Sequence, residues 1–178
     1  MLDLIPRATD VTFEDLLEVI AFEQRSVTVF GKVYPQPRLT KWYGPVPYAY
    51  SNLRWEAEEM PELLKRLRDI AQERAGCELP TCLANLYRNG RDKVGWHSDD
   101  EDLFGSDPVI ASFSFGCARD FKVRPKGDTS GTQTLSLEPQ SLLIMPSGFQ
   151  STHEHSLPAR KRVSEPRINL TFRPLGTS

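Results

Sequence analysis

Cysteine is scarce in this chain. Cys77, Cys82 and Cys117 make three, an odd number without a Cys-x-x-Cys pair, which argues against a disulfide framework or a zinc ribbon. Reduced thiols are expected. No stretch approaches the ~18 continuous apolar residues of a membrane helix, so the chain is expected neither to span nor to anchor in a bilayer. The opening Met-Leu-Asp-Leu-Ile-Pro-Arg lacks a basic n-region followed by a long apolar run, and an intracellular protein is expected. Positive charge is not in excess either: 22 Lys and Arg against 24 Asp and Glu leave a net charge of -2. That removes the global signature of nucleic-acid binding, a basic domain or stripe. Any such contact must be local, at Arg160-Lys161-Arg162 or along Arg119, Lys122, Arg124 and Lys126, and each of these taken alone reads as a solvated loop. Repeats, low-complexity tracts and an interdomain linker are also missing.

What is present fits one globular unit. With 178 residues, 39% of them hydrophobic, the chain can bury one sizeable core and is too short for two ordinary ones. A single domain over 1–178 is expected, with helices over about 10–80 and a β core over about 81–175. Phe13, Leu16, Leu17 and Ile20 recur at helical spacing and predict a first helix from Asp10 to about Glu23, capped by Asp10 or Thr12. Leu63, Leu64, Leu67, Ile70 and Ala71 predict a second from about Glu59 to Ala75, with Pro61 in its first turn and Gly76 as its stop. From Thr81 onward the pattern shortens to runs at Cys82–Arg88, Val109–Phe115, Arg119–Arg124, Thr134–Leu137, Ser141–Met145, Ser151–Leu157 and Arg167–Arg173. Asn89-Gly90, Gly105-Ser106, Lys126-Gly127-Asp128 and Pro146-Ser147-Gly148 mark turns between them. A mainly β sandwich or barrel with flanking helices follows.

Two constellations carry chemistry. Trp96-His97-Ser98-Asp99-Asp100-Glu101 places His97 and Asp99 on one side of an extended segment, and Thr152-His153-Glu154-His155-Ser156 offers a second imidazole from either His153 or His155. Two histidines and a carboxylate on one face are a ligand set that non-haem iron(II) takes, leaving positions open for a cosubstrate and dioxygen. The second constellation is the last strand, where Arg167, Asn169, Thr171 and Arg173 share one face and Ile168, Leu170 and Phe172 the other. The bland reading is a polar face in water. If that face instead lines the interior, two guanidinium forks can hold the carboxylates of a small diacid. Asn85 and Tyr87 alternate in the same way on Cys82–Arg88.

Taken in order, Asn85-Leu86-Tyr87, Trp96 to Glu101, His155-Ser156-Leu157-Pro158 and Pro166-Arg167-Ile168-Asn169-Leu170-Thr171-Phe172-Arg173 resemble the AlkB family of iron(II)/2-oxoglutarate-dependent dioxygenases, over about Val29 to Leu175. Within it the chain resembles the nucleic-acid repair demethylases. Tyr34 to Thr40, Trp42-Tyr43-Gly44 and Asn85 to Asn89 are similar to the member preferring single strands, whereas Val29-Phe30-Gly31-Lys32 and His155 to Arg162 are similar to the duplex-repairing one. The resemblance implies a double-stranded β-helix, a cupin-like jelly roll of two antiparallel sheets with the metal at its mouth. It implies Fe(II) on His97, Asp99 and His155, with dioxygen and 2-oxoglutarate as cosubstrates. Arg167 would pair with the distal carboxylate of 2-oxoglutarate, Arg173 would lie nearer its C1 end, and Asn85, Tyr87 and Asn169 would bond alongside.

On the substrate side, the resemblance implies oxidation of an N-methyl group on N1-methyladenine or N3-methylcytosine, released as formaldehyde with succinate and carbon dioxide as coproducts. The base must be flipped out of its stack to be reached. Tyr50, with Tyr48 beside it, would contact that base and Glu101 would read its exocyclic amino group. Phe30 would wedge into the gap left in the stack, and Arg160, Lys161 and Arg162 would hold phosphates. The expected partner is methylated DNA, single- or double-stranded, with RNA a further candidate, and the expected state is a monomer, cytoplasmic in a bacterium or nuclear in a eukaryote. The competing readings are a dioxygenase acting on something other than nucleic acid and an inactive reader of damaged bases.

Overall fold

The computed structural model describes residues 1–29, 31–50 and 53–176, with the backbone alone for Val29 and Tyr50. In chain order the elements are β1 (Asp3–Ile5), α1 (Phe13–Val19), β2 (Glu23–Val29), β3 (Lys32–Tyr43), β4 (Tyr48–Tyr50), β5 (Leu53–Trp55) and α2 (Glu62–Ala75), followed by β6 (Thr81–Tyr87), β7 (Val94–His97) and a 3-10 turn at Asp102–Phe104. Then come β8 (Ile110–Gly116), β9 (Arg119–Pro125), β10 (Gln133–Leu137), β11 (Ser141–Met145), α3 (Phe149–Thr152), β12 (His153–Leu157) and β13 (Arg167–Arg173).

Both predicted helices form, and both are shorter than the periodicity suggests. Thr12 caps α1 through a capping box, accepting from the Asp15 amide at 3.2 Å while its own amide donates to Asp15 Oδ2 at 2.8 Å. That box satisfies two otherwise unpaired amides and fixes the start at Phe13. The helix stops at Val19, because Ile20 is already extended and buried and the chain turns directly into β2. Pro61 is the N-cap of α2 rather than part of its first turn, and Gly76 ends it in the left-handed conformation at φ 70°, which glycine adopts without steric cost. The strand expected from Ser151 begins instead with the short helix α3.

The strands form a seven-stranded sheet in the order β1-β11-β8-β13-β6-β3-β2 and a four-stranded sheet in the order β10-β9-β12-β7, with antiparallel pairing throughout. These are the two sheets of the expected jelly roll. On the outer side of the large sheet, Leu16, Leu64, Leu67 and Ala71 of the helices pack with Ala84, Phe113, Leu142, Ile168, Leu170 and Phe172. Between the sheets Ile110, Phe121, Val123, Leu137, Leu143, Met145 and Phe149 form a second apolar cluster. A third, Trp42, Tyr48, Trp55, Leu83 and Phe104, braces the small β4–β5 hairpin. No helix among the described residues is long and apolar enough to cross a membrane.

Candidate active site

Period-two alternation places the chemistry. On β13 the polar set Arg167, Asn169, Thr171 and Arg173 is turned inward and is as buried as the apolar set behind it, with relative exposures of 2%, 8%, 6% and 4%. The polar face is turned to the interior of the fold rather than to its outer surface. Asn85 and Tyr87 on β6 line the same cavity, with His97, Asp99 and His155 opposite and Phe121, Leu137 and Met145 as its apolar floor.

His155 of β12 stands directly opposite His97 of β7 in the antiparallel register. Their ring centroids are 4.3 Å apart. Donor atoms of His97, Asp99 and His155 all lie within 4.8 Å of one another, the one such cluster of His, Cys and acid side chains among the described residues. His153, the rival candidate, stacks on Phe149 at 5.0 Å and bonds Thr152 Oγ1 at 2.8 Å. Protonation suits a cation. The Gly95 carbonyl, 2.9 Å from His97 Nδ1, can only accept, so Nδ1 carries a proton, and Nε2 lies 3.7 Å from Asp99 Oδ1. Burial, with the nearby His97, pushes His155 down to about 3, so its ring is neutral, and its Nδ1 is buried without a partner. Burial alone would raise Asp99, but Arg173 and the two histidines outweigh it and bring the carboxyl down to about 2. Two imidazoles and a carboxylate fit a divalent metal of the iron type.

The two guanidiniums expected to converge on one diacid are employed differently. Arg173 donates from Nε and Nη2 to Asp99 Oδ2 at 3.2 and 2.9 Å, which orients the carboxylate and compensates its charge. Arg167 forms no ion pair among the described residues. Its Nη2 donates to Ser114 Oγ at 2.9 Å, its Nε is buried and unbonded, and its guanidinium lies 5.4 Å from the Tyr87 ring centroid. An uncompensated buried cation is costly. A carboxylate arriving in the cavity would supply the missing charge.

The polar neighbours are partly spoken for. Asn169 donates to Ser112 Oγ and the Phe113 carbonyl at 2.7 and 2.9 Å and accepts from Thr171. Asn85 Oδ1 accepts from Arg38 Nε at 2.9 Å. Arg38, Ser112, Ser114 and Gln150, whose Oε1 accepts from the Asp99 amide, carry no expectation from sequence. The two serines were discoverable, since they alternate with Ala111, Phe113 and Phe115 on β8.

At the mouth, the Tyr48 hydroxyl donates to Glu101 Oε1 at 2.7 Å, and Glu101 Oε2 is buried without a partner. The Tyr48 ring is held in a stack with Trp42 at 4.5 Å and Trp55 at 5.3 Å. What Tyr48 offers the cavity is therefore its hydroxyl end rather than a stacking face. Phe30 and the side chain of Tyr50 lie outside the described residues. Arg160, Lys161 and Arg162 are exposed on the loop after β12, where Arg160 is ion-paired with Asp120 and where Lys161 and Arg162 join Arg91 around a shallow hollow. That loop is pressed against Gly90, where a Cβ would run into the Arg160 carbonyl.

The model of the 2OG-Fe(II) oxygenase superfamily matches residues 4–173. The chain belongs to this superfamily. Among curated proteins it is similar to alpha-ketoglutarate-dependent dioxygenase alkB homolog 3 of Bos taurus, 39% identical over 176 residues covering 94% of this chain and 62% of that protein. The human counterpart is 38% identical with the same coverage. The DNA oxidative demethylase ALKBH2 of Mus musculus is 39% identical over 159 residues, covering 84% of this chain and 66% of that protein. The chain thus spans 62% of the length of the alkB homolog 3 proteins from cattle and human. These relatives bear out the AlkB resemblance read from the motifs. A solved structure of OsALKBH1 superposes with a TM-score of 0.68 at 17% identity, covering 97% of this chain and 96% of that one, and supports the jelly-roll fold.

Proposed function

We propose that the chain is an iron(II)- and 2-oxoglutarate-dependent dioxygenase that demethylates N-alkylated nucleobases, N1-methyladenine and N3-methylcytosine, in DNA, with RNA a further candidate, inside the cell. The observation that carries this reading is Arg167, a buried guanidinium without an acidic partner among the described residues, in the same cavity as the His97, Asp99 and His155 cluster. Iron held by those three residues would supply the activation of dioxygen that oxidises a methyl group. The rest falls to the chain. The Gly95 carbonyl fixes the tautomer of His97, Arg173 keeps Asp99 ionised, and Arg167 takes the far carboxylate of 2-oxoglutarate with Tyr87 against its plane. Leu83, Val94 and Leu157 line the cavity with Phe121 and limit water there.

For the substrate, Glu101 Oε2 supplies an acceptor for an exocyclic amino group, already oriented by Tyr48. Lys161, Arg162 and Arg91 supply cations for phosphates, and Phe30 and Tyr50 retain the roles the family resemblance gives them. The test is incubation with iron(II), ascorbate, 2-oxoglutarate and methylated single-stranded or duplex oligonucleotides, reading succinate and restored base together. Succinate coupled to repair is expected. Turnover of 2-oxoglutarate with another substrate, but no repair of any oligonucleotide, would overturn the nucleobase assignment.

A further inference from the structure

Arg119 opens β9 and is 2% exposed. No acid forms an ion pair with it among the described residues, and Asp92, whose field reaches it, is already engaged by Arg88 at 2.8 Å. Its Nη2 donates to the Asp92 and Pro158 carbonyls at 3.0 and 2.8 Å and its Nη1 to the Asn89 carbonyl at 3.3 Å. It therefore ties the loop after β6 to the loop after β12. Its guanidinium also lies 5.9 Å from the Tyr87 ring centroid, the ring that Arg167 approaches to 5.4 Å. Two buried guanidiniums share one phenol ring. Arg167 lines the cavity, whereas Arg119 does not.

This arrangement concentrates positive charge at one end of the cavity. Burial lowers Arg167 and the field of Arg119 adds to it, against the opposing pull of Tyr87, so that its pKa falls to about 10. A carboxylate beside Arg167 would relieve both effects. At the effective dielectric of a buried site, a unit charge within ~10 Å changes the affinity for an anion by roughly tenfold. An uncharged ligand end would feel little of that field.

We propose that Arg119 is a positioning and specificity-determining residue: acting through Tyr87 and Arg167, it makes this end of the cavity select a second carboxylate, favouring a 2-oxo diacid over a 2-oxo monoacid of equal length. The proposal rests on the reading of Arg167 as the carboxylate site.

The test uses the full chain with manganese(II) in place of iron and measures, by titration calorimetry, the Kd of 2-oxoglutarate and of 2-oxopentanoate, its monoacid counterpart, alongside Tm. R119M should weaken 2-oxoglutarate about tenfold and 2-oxopentanoate less than twofold, while R119K, which keeps the charge, should stay within about threefold of wild type for both. Should R119M not fold, R119Q retains an amide donor for the loop carbonyls, lacks the charge, and carries the same comparison. Proportional weakening of both ligands by the neutral variant, without rescue by R119K, would reduce Arg119 to a loop staple and overturn its selecting role alone. A wild-type chain that holds the diacid no more tightly than the monoacid would remove the carboxylate reading of Arg167 and this proposal with it.

Discussion

The two faces of β13 are equally hidden from water and do opposite things. Outward, Ile168, Leu170 and Phe172, each 0% exposed, fill the space beneath the helices. Inward, Arg167 and Arg173 are 2% and 4% exposed yet carry two full charges. Burial of an apolar side chain is its own stabilisation. Burial of a charge calls for compensation, and the two ends of the inner face differ in it: Arg173 is compensated by Asp99 within the fold, and Arg167 by no acid among the described residues.

Substitutions on the two faces sharpen this contrast. The largest effects are on stability. Arg173→Met would strand Asp99 as a buried unpaired carboxylate and should cost roughly 3–5 kcal/mol, whereas Phe172→Ala should cost about as much, roughly 3–5 kcal/mol, through a cavity. Chemical denaturation measures both, and metal affinity separates them: it should fall in the first and hold in the folded fraction of the second. Arg167→Met should leave stability within about 1 kcal/mol of wild type or raise it, since no partner is stranded, while 2-oxoglutarate binding weakens by on the order of 2–5 kcal/mol. A stability loss matching that of Arg173→Met would break the comparison.

Acid supplies a further probe. Asp99 is held at about 2 against an ordinary 3.8, so its contribution to stability is complete above about 3.8 and is lost as the pH falls through about 2. Melting temperatures of the metal-free chain across that window should show this loss, and Arg173→Met should diminish it. The smallest effect lies farthest from the cavity. Thr12→Ala removes the α1 cap and should cost about 1 kcal/mol, with ligand affinities unchanged in the same binding assay.

Much of this was legible because alternation is local. The bounds of β11 and β13 follow from their residues, and so does the division of β13 into two faces. The sequence does not say that the polar face is buried, because that depends on the opposite sheet closing over it. Nor does it say that Arg173 belongs to Asp99, 74 residues away. β3 is hidden for a different reason. Pro35 and Pro37 cannot donate to a ladder and argue against a strand of this length, but they lie beside the edge strand β2, where the pairing shifts between Gln24 and Ser26. That disguise also conceals Arg38, the partner of Asn85 on β6. Leu17 was expected on the buried face of α1 and is 44% exposed instead, since the helix seats Leu16 against the core and the next residue lies about 100° around the axis.

The pairing of His97 with His155 has a consequence for how the molecule comes apart. β7 is an edge strand of four residues whose only sheet neighbour among the described residues is β12, and the register between them shifts after the histidine pair. A cation gripped by one imidazole from each strand would be a cross-brace on a short edge seam of the jelly roll. Starved of metal, the chain should fray there first, and amide exchange along 94–97 becomes a gauge of how much of the population is loaded.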